Sequence, residues 1–256
     1  MSHALYTLPK LYKASVIKRP SAIIKSPYVA DILFEDGRQA LCHTPSLGCC
    51  GLVEKGCVIY VSDGTPGSKT EYTAQLSECT DETGTYYVGV HPLISQKAAR
   101  ELLAIISSEA TWKSEVVVDK HTRIDYVGTL PSGKKICVEI KTAPVSVQCH
   151  MSRHERCAIF PEGYRKKSSD TISPRAVKHA ETLKTLLAQE DTEMCVLLFV
   201  VPRHDCERGL QINSRDPIYL QAVQDAKNAG VCVRSFALQY TTDGSICKSS
   251  ELKVHV

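Results

Sequence analysis

The amino-acid sequence predicts a mixed α/β protein in two parts: a small β-barrel, then a larger α/β domain. Three observations favour this fold class. Short apolar runs separated by turn residues fill the first third of the chain. From Ser95 onward helical and strand-like patterns alternate, and the run MCVLLFVV (194–201) is apolar throughout. Alternating helices and strands are typical of α/β domains, and a continuous apolar run is typical of a strand covered on both faces.

The first part is predicted to consist of short strands. Asp36-Gly37 lies between two apolar runs and is a strong hairpin signal. Strand-like runs follow at 56–61, 72–76 and 84–90, with turn residues between them. About five short strands without a long helix suggest a small barrel, for which the five-stranded oligonucleotide-binding barrel is one candidate; a small sandwich fits almost as well. We predict a boundary near residues 81–84, which assigns 1–83 to the barrel and 84–256 to the α/β domain.

The second part is predicted to contain a helix, three strands, and then helices and strands in alternation. Each predicted helix has a candidate residue at its start. These residues are Ser95, Ser173 followed by Pro174, and Asp216 followed by Pro217. The three strand-like runs between the first two helices lie within 114–142, and a last strand is predicted at 231–238.

Bulk composition favours an ordinary globular protein. Apolar residues make up 43% of the chain, charged residues 23%, and the net charge of +3 permits an acidic partner without requiring one. No apolar run approaches the roughly 20 residues of a membrane span, and no secretory signal stands at the start, so we expect a cytoplasmic protein. The 12 cysteines are scattered without a CxxC pair, so we expect mostly reduced, buried thiols.

The run from Arg123 to Thr142 carries charged side chains inside an apolar pattern. Strand side chains alternate between two faces, so Glu139 and Lys141 share a face, roughly 7 Å apart along the strand. A three-residue hairpin loop ending at Gly133, in the left-handed conformation, would place Asp125 opposite Glu139. A four-residue loop would shift this register by one residue.

Two carboxylates side by side repel each other, by on the order of 4 kcal/mol at about 4 Å and an effective dielectric near 20. A proton or Lys141 could offset this repulsion, and a divalent cation would do so best. One interpretation is therefore a site for Mg²⁺ or Mn²⁺, bound by Asp125, Glu139 and the backbone carbonyl of Ile140. Lys141 would then lie beside the reacting water. The alternative is an exposed strand face, on which Glu and Lys are common.

Two other segments are candidates for nucleic-acid contact. The most basic short run, GYRKKSS (163–169), contributes Arg165, Lys166 and Lys167, for which a solvated loop is the alternative. Lys69, with Tyr72, is a weaker candidate for contact with a single strand through charge and stacking. Few aromatic residues stand in the barrel region, so a broad stacking surface is not expected.

One segment has metal-ligand residue types. QCHMSRHERC (148–157) holds Cys149, His150, His154 and Cys157, and the last three would share a face of a helix and could bind zinc. The spacing matches no standard zinc motif, and a mobile polar loop is the alternative.

These motifs together resemble the sugar fermentation stimulation protein A family, SfsA. The resemblance covers most of the chain and is strongest in six segments: 114–130, 137–142, 158–167, 173–186, 196–203 and 216–233. It implies an N-terminal barrel of the oligonucleotide-binding (OB) kind. It also implies a C-terminal domain similar to the PD-(D/E)xK nucleases, with a central mixed sheet flanked by helices.

The resemblance also implies roles for individual residues. Asp125, Glu139 and Lys141 match the family's catalytic acid and ExK motif, and Glu115 matches an upstream acidic position. Contacts with nucleic acid are implied for Arg123, Arg175, Lys178 and His179. The chain departs from the family at Val177, where the helix motif has Gln, and at HTPSLG (43–48), where the barrel motif has Asn.

The function implied is that of a DNA-binding protein which hydrolyses phosphodiester bonds with Mg²⁺ or Mn²⁺. One alternative is a non-catalytic DNA-binding regulator of sugar metabolism with a retained but inactive nuclease-like site. A third is an adaptor whose carboxylates merely bind metal. We expect nucleic acid, DNA above all, as the partner, no membrane, and a second copy of the chain, forming a homodimer, as a further candidate partner.

Overall fold

The computed structural model describes residues 4–46, 51–119, 122–147, 150–163, 165, 167 and 169–256. The chain divides into two compact units. The first comprises residues 1–100, 202–205 and 237–250, and the second comprises 101–201, 206–236 and 251–256.

The first unit contains a closed ring of five strands. Its first elements are β1 (Ala4–Thr7), β2 (Tyr12–Lys18), β3 (Val29–Phe34), β4 (Gln39–His43), β5 (Val58–Asp63), β6 (Tyr72–Asp81) and β7 (Gly84–Gly89). Strands β4, β3, β2, β5 and β6 are neighbours in that order, and a parallel pairing of β4 with β6 closes the ring. This closure makes the unit an OB-like five-stranded barrel, as predicted, rather than a sandwich. The predicted boundary near residues 81–84 lies in the turn between β6 and β7, which pair antiparallel.

Small and branched apolar side chains, at alternate positions along the strands, fill this barrel. In β2, Ala14 and Val16 are buried while the residues between and beside them are exposed or half-buried. Ile32, Ile59 and Val61 complete the same cluster from the neighbouring strands. A period of two along each strand places one side-chain set inside, which is why the run reads as alternating in the sequence.

Helix α1 (Pro92–Ile106) begins earlier than predicted. The N–H groups of Ile94 and Ser95 both donate to the carbonyl of His91, so the helix starts at Pro92, a residue suited to the first turn. The prediction of Ser95 as the cap was wrong. Its hydroxyl is buried instead and lies 3.1 Å from the hydroxyl of Tyr240.

The second unit is built around a mixed sheet. The remaining elements in chain order are β8 (Thr111–Asp119), β9 (Thr122–Thr129), β10 (Lys135–Thr142), β11 (Ser146–Val147), β12 (Cys157–Phe160), α2 (Pro174–Leu187), β13 (Thr192–Val201), β14 (Gly209–Ile212), α3 (Pro217–Asn228), β15 (Cys232–Tyr240), β16 (Ser245–Leu252) and β17 (Val254–His255). β10 pairs parallel with β13 and antiparallel with β9, which pairs antiparallel with β8. Helix α2 packs on β10, β13 and α3.

The sequence patterns of the second unit correspond to its elements. Residues 195–201 of β13 are all buried, as expected for a central strand. Ser173 accepts from the N–H of Ala176 at the start of α2, and Asp216 accepts from the N–H of Tyr219 at the start of α3, so both predicted caps are confirmed. A second sheet, in the order β11–β12–β14–β17, was not predicted, because strands of two to four residues are too short to show a period.

Late segments of the chain complete the first unit. β1 pairs antiparallel with β16, with Thr7 opposite Ser245. The buried pair Arg203 and Asp205 forms two hydrogen bonds of 2.6 and 2.7 Å, and Arg203 also donates to the hydroxyl of Tyr86 at 3.3 Å. Among the described residues, no helix has both the length and the apolar character that crossing a membrane requires.

Candidate active site

Asp125 and Glu139 come opposite each other because a tight turn joins β9 to β10. Gly133 adopts a left-handed φ of +84°, as the predicted three-residue loop requires. The strand register pairs Val138 with Tyr126, and the next step along both strands reaches Glu139 and Asp125. The predicted register is therefore confirmed.

The side chain of Asp125 is tied to the backbone of β10. The N–H of Ile140 donates to its Oδ2 at 2.7 Å. Burial and then the charge of Glu139 raise the pKa of Asp125 from 3.8 to about 6, although the Ile140 N–H and the charge of Lys141 oppose this shift. The carboxylate thus lies in an environment crowded with negative charge, which a cation would relieve.

The Glu139 carboxylate is buried, with 1% of the residue exposed, and its two oxygens differ. Oε1 accepts from Lys141 Nζ at 2.5 Å and contacts His179 Nδ1. Burial opposes ionisation, but the hydrogen bonds from His179 and Lys141 hold the pKa of Glu139 below its ordinary value. Oε2 is buried and has no hydrogen-bond partner in the described part of the chain. An unsatisfied buried carboxylate oxygen is costly, which marks it as a place for a ligand.

Helix α2 brings two of the predicted residues to this cluster. His179 lies on its buried face, with Nδ1 3.2 Å from Lys141 Nζ, and Arg175 Nε donates to His179 Nε2 at 3.4 Å. The donation from Arg175 leaves Nδ1 as the ring nitrogen that carries a proton toward Glu139. His179, which we expected to contact nucleic acid, is therefore a buried partner of a carboxylate. Arg175 and Lys178 are exposed on the same helix.

Glu115 and Arg123 form the exposed edge of the site. Their side chains are joined by an ion pair of 3.3 Å, with 62% of Glu115 and 58% of Arg123 exposed. The charge of Glu115 contributes to the raised pKa of Asp125, so the two carboxylates are near each other. Glu115 has a φ of +55°, and no other non-glycine residue in the described ranges has a positive φ. Such a conformation is strained in a strand residue and is found often at functional sites.

Three of the other predicted contacts, Arg165, Lys167 and Lys69, are among the described residues. Arg165 Nη1 donates to the carbonyl of Arg215 at 2.6 Å, so this guanidinium already has a protein partner. Lys167 is exposed in the same loop, and Lys166 lies outside the described residues. Lys69 is exposed in the first unit, in the turn between β5 and β6.

Sequence reasoning missed Tyr219. This residue is fully buried on α3, and its hydroxyl has no hydrogen-bond partner among the described residues. Burial, and then the negative charge of Glu139, raises the pKa of the Tyr219 hydroxyl, so the phenol lies close enough to the site to interact with its carboxylate. In the sequence Tyr219 is only one more apolar-face residue of a helix, so no local signal distinguishes it.

The described residues of the segment with metal-ligand residue types do not converge on a common point. His154 is largely exposed and its Nδ1 lies 2.5 Å from Glu207 Oε2, while Cys157 is buried in β12. Cys149 lies outside the described residues. Across the described part of the chain, no three His, Cys, Asp or Glu side chains lie close enough together to share a metal ion.

A family model and curated relatives with the same description match this chain. The family model described as "Sugar fermentation stimulation protein RE domain" matches residues 90–244. The sugar fermentation stimulation protein homolog of Caulobacter vibrioides is 30% identical over 222 residues, which cover 84% of this chain and 84% of that protein. The homolog of Synechococcus elongatus is 28% identical over 251 residues, covering 95% of each.

A solved structure has the same fold. The structure of Pyrococcus furiosus SfsA in complex with Ca²⁺ matches over 100% of both chains with a TM-score of 0.76 and 20% sequence identity. With the family model and the relatives, this places the chain plainly: it belongs to the SfsA family of sugar fermentation stimulation proteins.

Proposed function

We propose that this protein is a DNA-binding, divalent-metal-dependent nuclease that hydrolyses phosphodiester bonds at Asp125, Glu139 and Lys141. One observation carries the proposal. The β9–β10 hairpin holds two carboxylates at opposed strand positions, and Oε2 of Glu139 is buried without a donor in the described residues. A hard cation is the ligand that best satisfies such an oxygen beside a second carboxylate.

The residues present fit Mg²⁺ or Mn²⁺. Mg²⁺ is commonly held by one or two carboxylates, with water and substrate phosphate completing its shell, so a third acidic ligand is not needed. Asp125, Glu139 Oε2 and the carbonyl of Ile140 would hold the ion. The solved Pyrococcus furiosus relative is a complex with Ca²⁺, another cation that prefers oxygen ligands. Bound here, the cation would supply Lewis-acid stabilisation of the charge that develops on the phosphate.

The side chains around the carboxylates would supply the other requirements. Lys141 lies between Glu139 and His179, and its ammonium would orient the attacking water. The exposed guanidinium of Arg175 would contact the substrate phosphate, for which its planar fork of donors is suited. Glu115, at the exposed edge, would assist the half-buried Asp125 and the buried Glu139.

The test is cleavage of end-labelled single- and double-stranded DNA and RNA with Mg²⁺ or Mn²⁺. Lys141→Ala is expected to lower the cleavage rate about a hundredfold or more, because it removes a charge acting on the reacting groups. Lys135→Ala is the matched control, since Lys135 lies on the same strand but pairs with Asp191 on the surface. Equal cleavage by the parent and Lys141→Ala would contradict the proposal.

A second candidate function is a non-catalytic DNA-binding regulator of sugar metabolism. One observation favours it: Lys141 and His179 both contact Oε1 of Glu139, so this carboxylate has cationic and hydrogen-bonding partners without a metal. This function predicts that DNA is bound but not cut in Mg²⁺, and that a chelator leaves the affinity unchanged.

A further inference from the structure

One end of the barrel in the first unit carries aromatic rings that the proposed active site does not use. β2 begins at Tyr12, β3 ends at Phe34 and β6 begins at Tyr72, so the three rings meet at the same end of the ring of strands. The Tyr72 ring is 4.9 Å from Phe34 and 6.0 Å from Tyr12 between centroids, with edge-to-face geometry in both pairs.

Two cations lie over these rings. The guanidinium carbon of Arg38 is 4.5 Å from the centroid of Phe34 and 5.8 Å from that of Tyr72. Arg38 Nη1 also donates to the Tyr72 hydroxyl at 2.8 Å. Lys10 Nζ is 5.0 Å from the centroid of Tyr12. We call these five residues the barrel-end cluster.

Arg38 is held in place and yet open to solvent. The rings and the Tyr72 hydroxyl contact it, while 54% of its side chain is exposed. Phe34 belongs to the buried core of the barrel, with 7% of the residue exposed. The Arg38 guanidinium lies over this ring and more than half of its side chain is exposed, so a planar cation stands at the surface of this end of the barrel.

The charges near Arg38 restrict the kind of partner. Asp36 Oδ2 lies 3.7 Å from Arg38 Nε, and the carboxylate of Glu71 accepts from the N–H of Leu41 on the neighbouring strand. These acids reduce the local positive potential. A duplex backbone, whose attraction is mainly electrostatic, would gain little here, whereas stacking on a guanidinium or an aromatic ring does not depend on net charge.

We propose that the barrel-end cluster is a stacking surface for the unpaired bases of a single-stranded nucleic acid. Unpaired bases stack on guanidinium planes and aromatic rings, and a neighbouring ammonium such as that of Lys10 suits the phosphate. In a duplex the base faces are already stacked on each other. The inference rests on the nucleic-acid binding proposed above and narrows its substrate class to strands with unpaired bases. It differs from the sequence-based expectation that this region has no broad stacking surface.

The test is the affinity of the full-length protein, in chelator, for a thymidine homopolymer and for a mixed-sequence duplex, measured by fluorescence anisotropy. Arg38→Lys keeps the charge but loses the plane, and is expected to weaken single-strand binding about fivefold to tenfold with duplex binding unchanged. Tyr72→Phe keeps the ring but removes the hydroxyl that holds Arg38, and should weaken binding in the same sense. Lys55→Gln is the control, because it removes a charge from an exposed turn of the same unit.

A base-level readout separates stacking from charge. A single 2-aminopurine in the homopolymer is expected to be quenched on binding by the parent and less so by Arg38→Lys. Parental affinity and quenching in both cluster variants, or an equal loss for single strands and duplex, would overturn the stacking surface. If the parent binds nucleic acid with the variants unchanged, the proposed function survives and this inference fails. If the parent binds neither substrate, both fail.

Discussion

The pKa values of the two carboxylates at the centre of the candidate site are shifted in opposite directions because their surroundings differ. Glu139 contacts two cationic or hydrogen-bonding groups and has a lowered pKa, whereas Asp125 has one backbone donor and a raised pKa. Burial raises the pKa of both, so hydrogen bonds and charges decide the sign. Burial first, and the charge of Glu139 second, make the ionised form of Asp125 unfavourable, and a bound cation would offset both effects.

Asp125→Asn tests the raised pKa of Asp125 through the pH dependence of the protein's stability. A raised folded-state pKa means that the contribution of Asp125 to stability is present below its ordinary value of 3.8 and is lost as the pH rises through about 6. Asparagine keeps an acceptor for the Ile140 N–H without the charge. In chelator we expect the variant to melt on the order of a few degrees higher than the parent near pH 8, with no difference below about pH 4. A difference that is the same at both pH values would contradict this account.

Tyr219→Phe tests the missed residue. The hydroxyl of Tyr219 is buried without a partner in the described residues, so its removal is expected to raise the free energy of unfolding by about 1 kcal/mol. Urea unfolding in chelator measures the change. A loss of stability would mean that the hydroxyl is hydrogen-bonded in the folded protein.

At the scale of elements, the register of the β9–β10 hairpin determines whether Asp125 and Glu139 lie opposite each other. The N–H of Leu130 donates to the carbonyl of Lys134 at 2.9 Å, which closes a three-residue loop. One residue more or less would turn Glu139 and Lys141 to the other face of the sheet. Helix α2 then brings His179, on its buried face, into contact with the carboxylate of Glu139.

Gly133→Ala tests the turn. The φ of +84° is unfavourable for alanine although an added Cβ would meet no atom within 4 Å, so only backbone strain is introduced. We expect a loss of about 1 kcal/mol in the free energy of unfolding. Gly133→Asn is the matched control, since asparagine tolerates this conformation better and should cost less. Equal losses in the two variants would show that strain at this φ is not the cause.

At the scale of the whole molecule, the first unit is assembled from distant parts of the chain. It includes residues 202–205 and 237–250 in addition to 1–100. The pair Arg203 and Asp205 is buried, and β16 pairs with β1. The first unit therefore includes segments that are synthesised more than a hundred residues later.

A fragment of residues 1–100 tests this dependence. It lacks the strand that pairs with β1 and the two groups buried near Tyr86, so we expect it to unfold at a lower temperature and to be cut faster by protease than the full chain. Far-UV circular dichroism and limited proteolysis measure both properties. A fragment that unfolds cooperatively at the midpoint of the full chain would contradict this assembly.

Local patterns in the sequence were enough to determine many features of the protein. The two-residue period around Glu139, the turn at Gly133, the caps at Ser173 and Asp216 and the apolar run of β13 each depend on neighbours within a few residues. From these the fold class follows, and so does the opposition of Asp125 to Glu139. The motifs around them also pointed to the family.

Only the tertiary structure decided which separated segments meet. The contact of His179 with Glu139, the unpartnered hydroxyl of Tyr219 and the gathering of Tyr12, Phe34 and Tyr72 at one barrel end join residues that are far apart in the chain. No periodicity or spacing encodes such contacts, because they arise from the packing of whole elements against each other. For the same reason the sequence pattern predicts Ser95 to be a helix cap, whereas the residue lies within α1. There its buried hydroxyl contacts that of Tyr240.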